Sequence, residues 1–194
     1  MAAFFSSLGK TIIAGVVILI ALIFLMGAGG KFGEHVWWTF VMRWLHVMSG
    51  VMWIGLLWYF NFVQTPSMPK IPDEQKPAIG KVIAPTALFW FRWAALATVV
   101  TGLLVATMSG YVVNALMLSK PFTAIGIGMW IALVMAFNVW FIIWPAQQKI
   151  LGLVEATAEE KAAAAPKALY ASRFNTMFSI AMLYCMVAQQ NAPI

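Results

Sequence analysis

Charge is scarce in this chain. Asp, Glu, Lys and Arg make up 9% of its 194 residues, where a soluble domain carries about 25%. The rest is 63% hydrophobic, with a mean hydropathy of +0.88. That composition excludes a soluble globular enzyme and a disordered tail, and it makes the lipid bilayer the expected solvent. Cysteine is almost missing. The single Cys185 excludes an internal disulfide, a zinc spacing and a Cys-x-x-Cys-His haem attachment. Histidine is nearly missing too, with only His35 and His46. Basic residues outnumber acidic ones, for a net charge of +6. They are dispersed without a basic run, so nucleic acid is not an expected partner.

What is present is apolar sequence in membrane-length stretches. A spanning helix takes about 20 mostly apolar residues. Five segments meet that measure, at about 11–28, 35–63, 86–109, 121–146 and 172–190. The first, after Lys10, is expected to be retained as a helix rather than cleaved as a signal. The chain therefore reads as a single all-α domain over 1–194, a polytopic transmembrane bundle. Residues 65–83, with Pro66, Pro69, Pro72 and Pro77, read as a polar loop with at most a short helical turn. Residues 147–171 read as a surface helix ended by Pro166, and Pro145 is expected to end the fourth span.

Lysine and arginine set the orientation. Lys10, Lys70, Lys76, Lys81, Lys149, Lys161, Lys167 and Arg173 fall on one side of a five-span chain, and Lys31 and Lys120 on the other. The positive-inside rule places the N-terminus in the cytoplasm and the C-terminus in the periplasm of a bacterial inner membrane. Trp37, Trp38, Trp44, Trp90, Trp93 and Trp144 lie near the expected boundaries, whereas Trp53 and Trp130 lie deeper and are expected in the core.

The second segment concentrates the polar side chains. At 100° per residue, His35, Arg43, His46, Gly50, Trp53, Leu57 and Asn61 fall within about 80° of one another. Polar groups inside a membrane face protein or a cavity, so this face is expected to point into the bundle or at a partner. His46 is the candidate haem-iron ligand. Arg43 is placed to pair with a propionate, and Gly50 to leave room for a flat ligand. The plainer alternative for His46 is a hydrogen bond to another helix. His35 lies eleven residues earlier, about 16 Å along the axis. It reads as an interfacial packing residue rather than a second ligand to the same iron.

In the fifth segment Asn175, Ser179, Met182, Met186 and Gln189 form a stripe. Met182 or Met186 is the candidate second ligand of a haem b, and bundle filler is the alternative. Asn138 and Asn175 read as interhelical packing residues. No acidic residue lies inside a span, which weighs against a proton pump or cation transporter.

These words, in this order, resemble a known family. Arg43-Trp-Leu-His-Val-Met-Ser-Gly50, Trp53-Ile-Gly55, Trp90-Phe-Arg-Trp93, Thr101-Gly102, Ile125-Gly-Ile-Gly-Met129, Asn138-Val-Trp140, Ile143-Trp-Pro145 and Asn175 resemble the urate oxidase N-terminal family. That family is the membrane domain of bacterial urate hydroxylases. The resemblance runs from about residue 34 onward and implies an inner-membrane protein tied to redox chemistry. In the family this domain precedes a cytochrome c, which this chain is expected to lack, so a periplasmic cytochrome c becomes an expected partner. The family also carries further histidines where this chain reads Arg173-Phe-Asn175 and Gln189-Gln-Asn191. The resulting expectation is an accessory subunit of a larger respiratory or oxidative complex, not an enzyme on its own. The alternatives are a haem b electron-transfer protein using His46 and, last, a transporter of a small solute.

Overall fold

The computed structural model describes residues 2–191. After a short turn at Ala2–Phe5, six helices follow in order: α1 (Leu8–Leu25), α2 (His35–Trp58), α3 (Ala84–Met108), α4 (Val112–Leu116), α5 (Thr123–Phe137) and α6 (Ala158–Asn191). No strand occurs among the described residues, so the expected all-α class holds.

The chain divides into two compact units, 1–41 and 42–194, with the division falling inside α2. In the N-terminal unit, Ser7 caps α1 by accepting a hydrogen bond from the Lys10 amide. Gly27, in the left-handed region at φ 72°, lets the chain turn off the end of α1. An aromatic corner then leads into α2. Phe32 meets Phe24 and Trp37 edge to face, and the Trp38 indole donates to the Phe32 carbonyl at 2.9 Å.

In the C-terminal unit, three helices continue through π turns: Tyr59–Gln64 after α2, Ile79–Ile83 before α3 and Asn138–Ile143 after α5. Each lies immediately ahead of a proline at the second position of the next stretch: Pro66, Pro85 and Pro145. Proline lacks an N–H, and its ring collides with the carbonyl four residues back. Here the residue before each proline bonds five back instead, Thr65 to Phe60, Ala84 to Ile79 and Trp144 to Val139. The widened turn moves the obstructed carbonyl aside without ending the helix.

This corrects two expectations. Pro145 does not end the fourth span, which continues as a helix over Trp144–Ile150. Residues 65–83 are mostly helical, with only a short break at 71–75. Four helical runs are long and apolar enough to cross a membrane: Leu8–Leu25, His35–Lys70, Lys76–Met108 and Thr123–Ile150.

The stretch 172–190, expected as a fifth span, is the C-terminal part of α6. This 34-residue helix falls outside that set, because it carries Ser172, Arg173, Asn175, Ser179 and Gln189. Pro166 lies within α6 and does not end it. The carbonyl it leaves unbonded belongs to Ala162, an exposed residue open to another donor. The helix begins with a capping box, in which the Glu160 amide donates to Thr157 Oγ1 and the Thr157 amide to Glu160 Oε2.

The core of this unit joins Trp53 and Leu57 of α2, Phe91 and Ala95 of α3, Met135 of α5, Val139 of its π turn, and Met182 of α6. A second cluster packs Ala106, Ala115, Ile125 and Met129 together. There Gly126 lets α5 close on the Ala115 carbonyl, which an added Cβ would strike. In lipid such contacts hold by fit and by polar pairing rather than by the hydrophobic effect. Trp130, expected in the core, is 48% exposed and is anchored instead by its indole N–H to the Leu116 carbonyl.

Candidate functional site

The amide and hydroxyl groups of α6 settle against the π turns. Asn138 donates to Asn175 Oδ1 at 2.9 Å, and Asn175 donates to the Met135 carbonyl at 2.9 Å. Asn61 donates to Ser172 Oγ at 2.7 Å and to the Leu57 carbonyl. Trp58 donates to Ser179 Oγ, whose hydroxyl is spent on the Thr176 carbonyl. At the end of α6, Gln189 accepts from the Ile125 amide and donates to the Pro121 carbonyl. Asn138 and Asn175 thus join α5's π turn to α6.

Above this seam lies a cavity of about 650 Å³ within the C-terminal unit, between α2, α3, α5 and α6. Arg43, His46, Gly50, Trp53, Met182 and Met186 all line it. The polar face of α2 and the methionine stripe of α6 thus converge. A volume in the range of about 300–1,000 Å³ suits a cofactor-sized guest. Most of the wall is apolar, with Val47, Ile54, Val99, Leu103, Ile125 and Ala132 among its residues. Arg43, Tyr111, Gln189, Gln190 and Asn191 gather at the end where α2 begins and α6 finishes. Tyr111 stacks on Phe122 at 5.1 Å. Burial pushes its phenol above the ordinary value, against an opposing pull from the Arg43 charge.

His46 is held on one side only. Its Nδ1 lies 2.9 Å from the Thr98 carbonyl, with Thr101 Oγ1 at 3.4 Å. A carbonyl can only accept, so Nδ1 carries the proton and donates. Nε2 then presents a lone pair and makes no hydrogen bond among the described residues. This is the arrangement by which a ligating histidine is fixed, one nitrogen on a carbonyl and the other open. Trp53 adds an unmet donor: its side chain is fully buried and its Nε1 has no hydrogen-bond partner among the described residues. Arg43 is half-buried and forms no ion pair among the described residues.

Gly50 lines the cavity, where an added Cβ would meet only Thr98 Cγ2, at 3.9 Å. Three features were not foreseen. Gly102, by its missing side chain, admits the His46 ring. Tyr111 and Trp58 also line the cavity without a sequence pattern to mark them. His35 belongs to the N-terminal unit and is exposed at the start of α2. No group of three His, Cys, Asp or Glu side chains able to hold a metal ion occurs among the described residues.

Fold and site together define an all-helical protein with four membrane-length apolar helices and a largely apolar, histidine-bearing cavity. Residues 117–193 match the family model described as urate oxidase N-terminal, which supports the resemblance drawn from the motifs. The matched range holds Asn138, Asn175, Met182 and Met186; Arg43, His46, Gly50 and Trp53 precede it. No curated protein and no solved structure matches the chain.

Proposed function

We propose that this chain is an integral subunit of an oxidative complex in a bacterial inner membrane, and that its cavity holds haem b with His46 Nε2 as an iron ligand. The observation that carries the reading is the convergence of His46, Arg43, Trp53, Met182 and Met186 on one cavity, with the imidazole already anchored through Nδ1. The residues present fit the group. The wall is apolar, His46 Nε2 is open, and Trp53 leaves a buried donor unmet. Met182 Sδ or Met186 Sδ would be the second ligand, and the Arg43 guanidinium would pair with a carboxylate at the polar end.

Bound there, haem b supplies one-electron transfer. The protein's part is to orient the imidazole, to exclude water with the aliphatic wall, and to neutralise an acidic edge with Arg43. Lys/Arg placement favours a cytoplasmic N-terminus. Although α6 falls outside the set of four membrane-length runs, it packs along α5 until Gln189 meets Pro121 and Ile125, which supports a C-terminus on the periplasmic side where α5 begins. The polar end of the cavity then faces the periplasm, where a cytochrome c is the electron partner and other membrane subunits complete the complex. With only two histidines, catalysis is assigned to the complex rather than to this chain. A native gel of gently solubilised membranes, stained for haem peroxidase activity, tests the reading. The expected result is a stained band that contains this chain at a mass above its own 21.4 kDa. An unstained band at the mass of the chain alone contradicts it.

The competing transporter reading finds no specific support. The widened turn ahead of Pro145 is occupied by the Asn138–Asn175 pair.

A further inference from the structure

Gly102 and the Thr98 carbonyl lie one turn apart on the same face of α3, and both meet the His46 ring. A Cβ built on Gly102 would sit 2.7 Å from His46 Cε1 and 3.0 Å from Nδ1. Real Cβ contacts do not close to such distances, so the ring rests against bare backbone. A helical carbonyl has a second lone pair beyond its intrahelical bond, and only a helix face without a side chain lets an imidazole reach it. Thr101 Oγ1 also lies 3.4 Å from Nδ1 and 3.3 Å from the Thr98 carbonyl, but both neighbouring threonine hydroxyls have closer acceptors on their own helix, which leaves Nδ1 to donate. Thr98 Oγ1 donates to the Ala94 carbonyl at 2.7 Å, and Thr101 Oγ1 donates to the Ala97 carbonyl at 2.6 Å.

We infer that Gly102 and the Thr98 carbonyl form a seat that fixes His46 as the Nδ1–H tautomer and keeps Nε2 available to the cavity, making Gly102 a positioning residue for the ligand site. The seat is a property of the chain itself. Its role in cofactor binding rests on the haem reading above.

The test compares Gly102→Ala with Gly55→Ala in full-length protein carrying His35→Gln, so that His46 is the only histidine. Gly55 also lines the cavity, but a Cβ there meets nothing within 4 Å. Imidazole ¹⁵N shifts of the protein stripped of any cofactor report the tautomer. The parent and Gly55→Ala are expected to show protonated Nδ1 and bare Nε2, and Gly102→Ala to lose that pattern. Haem affinity, measured by titration into the same samples, is expected to fall about 10–100-fold in Gly102→Ala, as for other partners that orient a metal ligand.

An Nε2–H tautomer in the parent overturns the inference, even if Gly102→Ala fails to fold. So does a Gly102→Ala protein with unchanged shifts and unchanged haem affinity. The expected shift change in a protein that takes up no haem upholds the seat and overturns the haem reading alone.

Discussion

Replacing Asn175 by leucine keeps most of the side-chain volume and removes two hydrogen bonds at a site with no exposure. The two losses are unequal. The Met135 carbonyl retains the backbone N–H of Asn138, so its second lone pair goes unused at little cost. The Asn138 side-chain amide loses its partner on α6 altogether. Hydrogen bonds between membrane helices couple by about 0.6 kcal/mol on average and by about 1.7 kcal/mol at most. Asn175→Leu should therefore destabilise by about 1–3 kcal/mol. A double-mutant cycle with Asn138→Leu should return a coupling of about 0.6–1.7 kcal/mol, or about 3- to 18-fold in the unfolding equilibrium. Unfolding in mixed micelles by added dodecyl sulfate, followed by tryptophan fluorescence, measures all four proteins. Additive single effects, with no coupling, would refute the placement of Asn138 against α6.

Pro145→Ala restores an N–H and removes the ring that widens the turn at Asn138–Ile143. The turn is expected to relax towards α geometry, and the same cycle run in that background should lose its coupling. Gly126→Ala drives a Cβ into the Ala115 carbonyl and should cost about 1–3 kcal/mol or more, whereas Gly55→Ala should be near neutral by the same micelle assay. Glu160 titrates below the ordinary glutamate range, first because the Thr157 amide donates to it and then because Lys149 pairs with it at 3.0 Å. A carboxyl lowered on folding favours the folded state above its unfolded value and loses that contribution as pH falls through its folded value. Amide exchange at Thr157, corrected for intrinsic rate, should accelerate only below the ordinary glutamate range. Glu160→Gln should abolish that pH dependence.

Much of this architecture follows from composition and period. Long apolar runs fix the helices, and a 100° step along the second run groups Arg43, His46, Gly50 and Trp53, which line one cavity, with His35, Leu57 and Asn61, which do not. The stripe from Asn175 to Gln189 was equally readable, because Met182 and Gln189, seven and fourteen residues on, share the face of Asn175. Register beyond each proline was harder to read. A proline in an apolar run signals either an end or a widened turn, and only the packing of Asn61 and Asn138 against α6 decides in favour of the turn. The continuity of α6 was hidden for a related reason. Pro166 costs one hydrogen bond, and the buried alanines Ala164 and Ala168 beside Ala146 hold the helix together across it. The seat of His46 was illegible because its essential features are a backbone carbonyl and an absent side chain, which leave no chemical mark in a sequence beyond a glycine among leucines.

The most direct measurement is the visible spectrum of the gently solubilised protein, oxidised and dithionite-reduced, with a haem count per chain. The account predicts a Soret band and a reduced α-band at about one haem per chain, both lost in His46→Ala and both kept in His35→Ala. A featureless spectrum, or haem that survives His46→Ala, would contradict it.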